Sequence, residues 1–123
     1  MAYRRNHGRY YPLITITIRE SCITLSRRTM WCLGAANHVN VYISPNTKEL
    51  ILVTCPSDDA NAIEIKRRRQ CSSTICSAGL VKKIRKDTGL TGVIKFVGRF
   101  VPEYNGIAFP LNEPKEPGFG KRG

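Results

Sequence analysis

Apolar and polar positions alternate along the first readable segment of the chain. Leu13 or Ile14, Ile16 and Ile18 fall on one side, and Thr15, Thr17 and Arg19 on the other, as in a strand with one wet face. The pattern continues through Ser21-Cys22-Ile23-Thr24-Leu25-Ser26 into a short helix-like run that closes at Gly34, with Met30 and Leu33 three residues apart on one helical face. Alternation resumes at Val39, Val41 and Ile43. A Ser44-Pro45-Asn46-Thr47-Lys48 turn and the apolar run Leu50-Ile51-Leu52-Val53 then complete a hairpin. The predicted order is strand, short helix, hairpin.

A looser copy of this order follows. Ile63 and Ile65 lead across Lys66 to Arg69 into Ser72-Ser73-Thr74-Ile75-Cys76-Ser77, where Ser77 offers a helix cap as Ser26 does in the first copy. A helix is expected from Ala78 to Thr88, longer than the first by about one turn, and it ends on Gly89. Leu80, Val81 and Ile84 form its apolar face. The second hairpin runs from Val93 to Val101 and from Ile107 to Leu111, and Pro102 opens its turn as Pro45 opens the first. Pro110 lacks an amide donor, so its strand is expected at an edge or ending. Self-similarity at this spacing indicates internal duplication. The expected organisation is a basic flexible arm over 1–12, one domain over 13–111 and a flexible tail over 112–123. Within the domain, repeats at 13–55 and 62–111 are joined by a polar linker at 56–61.

Charge adds a function class. The 123 residues hold 20 Lys and Arg against 9 Asp and Glu, a formal net charge of +11. An excess of this size on a small domain attracts polyanions, and nucleic acid is the expected one. Nothing approaches a membrane-spanning apolar run, and no apolar segment follows the basic N-terminus as a signal peptide requires, so a cytoplasmic protein is expected. Candidate phosphate contacts are Arg4, Arg5 and Arg9 in the arm, Arg19 at the first strand's exit, and Arg27 and Arg28 in the first turn of the short helix. There the helix dipole offers cations no help, which points to a second role. The run Lys66, Arg67, Arg68 and Arg69 is the foremost candidate, because four consecutive cations repel one another unless an anion or water relieves them. Lys82, Lys83 and Lys86 on the second helix come next. The arm reads equally as an inert tail. Trp31 fits either the core or a stacking face, with the core the first expectation.

Five cysteines without a CxxC pair, and only His7 and His38 beside them, complete no zinc site. Mostly buried free thiols are expected, and no metal or other cofactor. No paired carboxylates, Ser-His-Asp arrangement or Gly-rich phosphate loop stands out, so no enzyme activity is expected.

Taken together, Ile23-Thr24-Leu25-Ser26, the short helix to Leu33-Gly34, Val39-Asn40-Val41-Tyr42-Ile43, the turn and Leu50-Ile51-Leu52-Val53 resemble the AbrB/SpoVT/MazE type of swapped-hairpin regulators. The resemblance covers both copies, roughly 13–111. It implies a mostly β, β-rich α+β fold in which two tandem strand-helix-hairpin units interlock in a small swapped-hairpin β-barrel that binds DNA. Members usually dimerise to obtain the second unit; here one chain would act as a pseudo-dimer, or as a homodimer. The family's Gly-Arg falls on Ser21 and Cys22, and its helix-starting Pro on Ser26. Its late-helix basic positions fall near Met30 and Trp31, and the second copy blurs the Gly-Arg across Gln70, Cys71 and Ser72. The expected function is a small duplex-DNA-binding transcriptional or accessory regulator, with DNA preferred over RNA. The alternative is a phage or mobile-element inhibitor or adaptor, of the anti-CRISPR kind, that binds a protein or ribonucleoprotein; an antitoxin ranks below both.

Overall fold

Thr15–Ile18 (β1) and Cys22–Leu25 (β2) pair as an antiparallel hairpin, Ile16 opposite Leu25 and Ile18 opposite Ile23, and all four side chains are buried. The structure is a computed structural model that describes residues 13–67 and 73–115. Ser26 ends β2 and starts a helix at once. Its hydroxyl accepts from the Thr29 amide at 3.2 Å and the Thr15 amide at 3.2 Å, and donates to the Leu13 carbonyl at 3.0 Å. The cap therefore also ties the helix to β1. Arg27–Cys32 (α1) spans six residues and stops at Leu33, followed by left-handed Gly34 and Ala35. His38–Ser44 (β3) and Glu49–Thr54 (β4) form the first hairpin, whose turn holds Lys48 at a φ of 56°.

The second half repeats the order. Ile63–Glu64 (β5) and Lys66–Arg67 (β6) lead towards Ser73–Cys76 (β7), and Ser77 caps Ala78–Thr88 (α2), which closes on left-handed Gly89. Ile94–Val97 (β8) and Arg99–Val101 (β9) are followed by a 3-10 turn at Pro102–Tyr104, then by Gly106–Pro110 (β10) and Pro114–Lys115 (β11). Asn105, three residues after Pro102, has a φ of 52°, just as Lys48 follows Pro45.

The strands form two sheets, ordered β11-β8-β1-β2-β7-β6 and β5-β3-β4-β10-β9. Each half lends its leading strand to the other half's hairpin: β1 pairs with β8, and β5 with β3. Each sheet also has a pairing between corresponding strands, β2 with β7 and β4 with β10, in which Ile23 faces Ile75 and Ile51 faces Ala108. Exchanging the halves therefore reproduces these pairings. Ile65, buried between β5 and β6, donates its amide to the Asn37 carbonyl, and Gly98, between β8 and β9, donates its amide to the Ile14 carbonyl. At these two corners the chain passes from one sheet to the other.

Ile16, Ile18, Ile23, Leu25, Leu50, Leu52, Ile75, Phe96, Ile107 and Phe109 fill the space between the sheets, joined by Met30 of α1, Leu33 that ends it, and Val81 and Ile84 of α2. Full burial of each large aliphatic side chain contributes about 1.5–3 kcal/mol before chain entropy is counted. The result is a mostly β protein with two helices. No closed barrel forms among the described residues, because ladders of two to four residues break at the corners and leave two sheets.

Several sequence expectations change. Trp31 is 69% exposed rather than in the core: α1 is short enough to bury only Thr29, Met30 and Leu33, and Trp31 falls on its opposite side. The described thiols are not buried; Cys22, Cys32 and Cys55 are half-buried and Cys76 is exposed. The strand containing Pro110 is not at an edge but lies between β4 and β9; it does end at Pro110, the other alternative expected, and there Pro110 lies beyond the reach of β9 and pairs only with Glu49. The expected tail contributes β11, which extends the first sheet beyond β8. In the expected linker, Asp59 accepts from the Asn61 amide at 2.8 Å, and the buried Asn40 amide faces its carboxylate. The arm at 1–12 lies outside the described residues.

Candidate nucleic-acid interface

Strand register places six side chains in one line across the outer face of the first sheet. Lys115 stands opposite Lys95, Lys95 opposite Thr17, Thr17 opposite Thr24, Thr24 opposite Thr74, and Thr74 opposite Lys66. Directly opposite residues share a face, and the flanking Ile16, Ile18, Ile23, Leu25, Ile75, Ile94 and Phe96 point to the core, so this line faces outward. At the usual strand spacing it is about 24 Å long, with Lys66 and Lys95 about 19 Å apart. The three lysines are exposed, Thr17 and Thr24 are half-buried, and Thr74 is 6% exposed. Arg19 lies over the same face, its Nε donating to Thr24 Oγ1 at 3.1 Å.

No carboxylate interrupts this line. Lys95 and Lys115 face each other, an arrangement that costs energy in isolation and is relieved by an anion. Among the described residues the ion pairs lie elsewhere: Lys83 with Asp87 at 3.5 Å on α2, and Arg99 with Glu49 at 2.8 Å on the second sheet. The Glu49 carboxylate holds the Arg99 guanidinium further above its already high range, first through the hydrogen bond and then through its charge.

The sequence candidates divide accordingly. Arg19 and Lys66 meet on the outer face of the first sheet. Arg67, one residue on, turns away and uses Nη2 to bind Ala35 O at 2.8 Å, Ala36 O at 3.0 Å and Asn37 Oδ1 at 3.3 Å. It therefore anchors the loop after α1. Arg85 does the corresponding task at the other end of the β2–β7 pair, donating to Arg19 O at 3.0 Å and Leu90 O at 3.4 Å. Arg27 is exposed at the start of α1, while Arg28 sits 4.4 Å from the Trp31 ring centre, within cation–π range. Lys82, Lys83 and Lys86 are exposed on α2 and none stands in the line; Lys83 is tied to Asp87. Arg4, Arg5, Arg9, Arg68 and Arg69 lie outside the described residues.

Sequence reasoning missed Lys95, Lys115, Thr24 and Thr74 as members of the site, and read Thr17 only as an outward position. The signal for Lys95 was present, since Ile94-Lys95-Phe96 alternates, but nothing local shows that it shares a row with Lys66, whose strand lies four places away. Lys115 sits in a stretch whose composition reads as unfolded.

Elsewhere, a cleft of about 610 Å³ separates the Ser44–Lys48 turn from the end of α2 and is lined by Ile43, Pro45, Lys48, Lys83, Asp87 and Leu111 among others. Burial and then the Asp59 charge push the Cys55 thiol up from its ordinary range. Among the described residues no group of three His, Cys, Asp or Glu gathers as metal ligands, and no helix is long and apolar enough to cross a membrane. No protein-family model matches the chain, no curated protein matches it, and no solved structure matches it.

Proposed function

We propose that this chain is a nucleic-acid-binding protein, a small duplex-DNA-binding transcriptional or accessory regulator, which lays the outer face of its first sheet against the sugar-phosphate backbone. The observation that carries the reading is the line Lys115-Lys95-Thr17-Thr24-Thr74-Lys66, crossed by Arg19 and free of carboxylates. The exposed lysines and Arg19 neutralise phosphate oxygens and the half-buried Thr17 hydroxyl can donate to them, contacts that position a protein without reading bases, while the buried Thr74 only spaces the row. The line holds no aromatic side chain, the stacking platform on which single-stranded nucleic acids are usually bound, so a duplex suits it better.

The exchanged strand pairing and the matched Pro45 and Pro102 turns support a duplicated swapped-hairpin architecture, in which one chain acts as its own pseudo-dimer. Arg19, just after β1, and Lys66, in β6, then bring one cation from each unit to the same outer face of a single polypeptide.

Fluorescence anisotropy on a 20-base-pair duplex and the matching single strand, in 50 to 200 mM salt, tests the reading. Each phosphate contact adds about 0.9 to the slope of log affinity against log salt, so Lys66→Gln with Lys95→Gln lowers the slope by about 1.8. Duplex binding with an unchanged slope in the double variant refutes the placement. Absence of binding to either nucleic acid refutes the function.

One observation favours a second reading, an inhibitor or adaptor of a protein or ribonucleoprotein. Trp31 is exposed under Arg28, and Trp and Arg dominate the energetic centres of protein interfaces. A partner retained after nuclease treatment by the wild type and lost by Trp31→Ala supports it.

A further inference from the structure

Cys22 and Cys76 are Cα partners in the antiparallel β2–β7 pair. Residues directly opposite in such a pair have Cα atoms about 4.5 to 5.5 Å apart, inside the roughly 4.4–6.8 Å range of a disulfide. Their side chains share the outer face, because the next pair, Ile23 with Ile75, is buried in the core. That buried pair also pins the register, since a slip of one residue would carry it to the outer face. Both residues are thiols here, Cys22 half-buried and Cys76 exposed. Cys32 on α1 and Cys55 after β4 have no cysteine opposite them in the described pairings.

We propose that Cys22 and Cys76 are a thiol–disulfide modification site, oxidised by a small disulfide of the glutathione type, that reversibly staples the two halves of the chain together. The step balances without a metal or a bound cofactor. The Cys76 sulfur, the more accessible, attacks one sulfur of glutathione disulfide; an S–S bond forms to the protein and one glutathione leaves with the electron pair and takes up a proton. The Cys22 sulfur then attacks the Cys76 sulfur of this mixed disulfide, and the second glutathione leaves in the same way. Two thiols have been oxidised and one glutathione disulfide reduced to two glutathiones. The bond formed joins the first half to the second between adjacent strands of one sheet, where the backbone already holds the sulfurs' carbons in place. The proposal is independent of nucleic-acid binding.

The test is chemical. The folded full-length protein is equilibrated with glutathione and glutathione disulfide at graded ratios, quenched with an alkylating agent and weighed intact, then digested. The expected result is loss of two hydrogens per molecule, a peptide joining Cys22 to Cys76, and at least a tenfold drop in alkylation of both residues that dithiothreitol reverses. Cys71→Ser keeps the link. Cys22→Ser and Cys76→Ser each lose it, and the remaining cysteine is recovered as a mixed disulfide with glutathione. A link formed through Cys71, a link that appears only in urea-unfolded protein, or unchanged alkylation in the folded wild type at every ratio overturns the proposal.

Discussion

Gly98→Ala tests the corner at which the second hairpin leaves the first sheet. A methyl group built there would stand 2.6 Å from Phe109 Cδ2, 2.7 Å from Phe109 Cε2 and 2.7 Å from the Ala108 carbonyl oxygen. The ring is a fully buried core residue and the oxygen belongs to the internal strand β10, so neither yields without moving its surroundings. Overpacking of this kind costs about 1–3 kcal/mol. At an unfolding entropy of about 2.1 cal/mol/K per residue, roughly 0.26 kcal/mol/K for a chain of this length, the melting temperature falls by about 4–12 °C. Gly79→Ala is the matched control. Gly79 lies in α2 with nothing within 4 Å of an added methyl group, and alanine there raises stability by about 0.5–1 kcal/mol, or about 2–4 °C. Thermal unfolding followed by circular dichroism compares both with wild type. If Gly98→Ala melts at or above wild type, the corner is not packed as described. Phe109→Leu should cost less in the Gly98→Ala background than in the wild type, because there the smaller side chain also relieves the clash with the added methyl group.

Ser26→Ala removes the hydroxyl's bonds to the Thr15 and Thr29 amides and the Leu13 carbonyl, together with its 2.9 Å contact to the Thr29 hydroxyl, whereas Ser77 caps α2 through a single bond to the Leu80 amide. Urea unfolding should show a loss of about 2 kcal/mol for Ser26→Ala against about 1 for Ser77→Ala, and equal losses contradict the tie between α1 and β1. Trp31 is the sole tryptophan, so its fluorescence reports one site. Acrylamide should quench it readily, somewhat less than a free tryptophan derivative because Arg28 covers part of one face, and Trp31→Ala should change stability by less than about 0.5 kcal/mol; strong protection from quenching would return the ring to the core.

Much of the fold was legible in the chain because its causes are local. Isoleucines alternating with threonines specify a half-buried strand wherever the strand ends up, Ser26 and Ser77 cap the helices they precede, Gly89 closes the second, and Pro45 and Pro102 mark matching turns. The outward threonines Thr15 and Thr17 could be read from the same alternation. Trp31 could not be placed, since both sides of a six-residue helix have much the same spacing and only the packing of Met30 and Leu33 shows which one is covered.

What tertiary structure decided is the company each residue keeps. Lys66 and Lys95 share a row because β6, β7, β2, β1 and β8 lie side by side, and this order depends on pairings between distant parts of the chain, which no local pattern records. The same holds for Arg67, whose sequence neighbours mark it as one of four equivalent cations but whose guanidinium the fold spends on three oxygens of another loop. Cys22 and Cys76 likewise become opposite partners only when β2 meets β7. Local patterning determined the elements and their faces; long-range register, set by burying Ile23 against Ile75 and Ile16 against Leu25, determined which outward side chains meet.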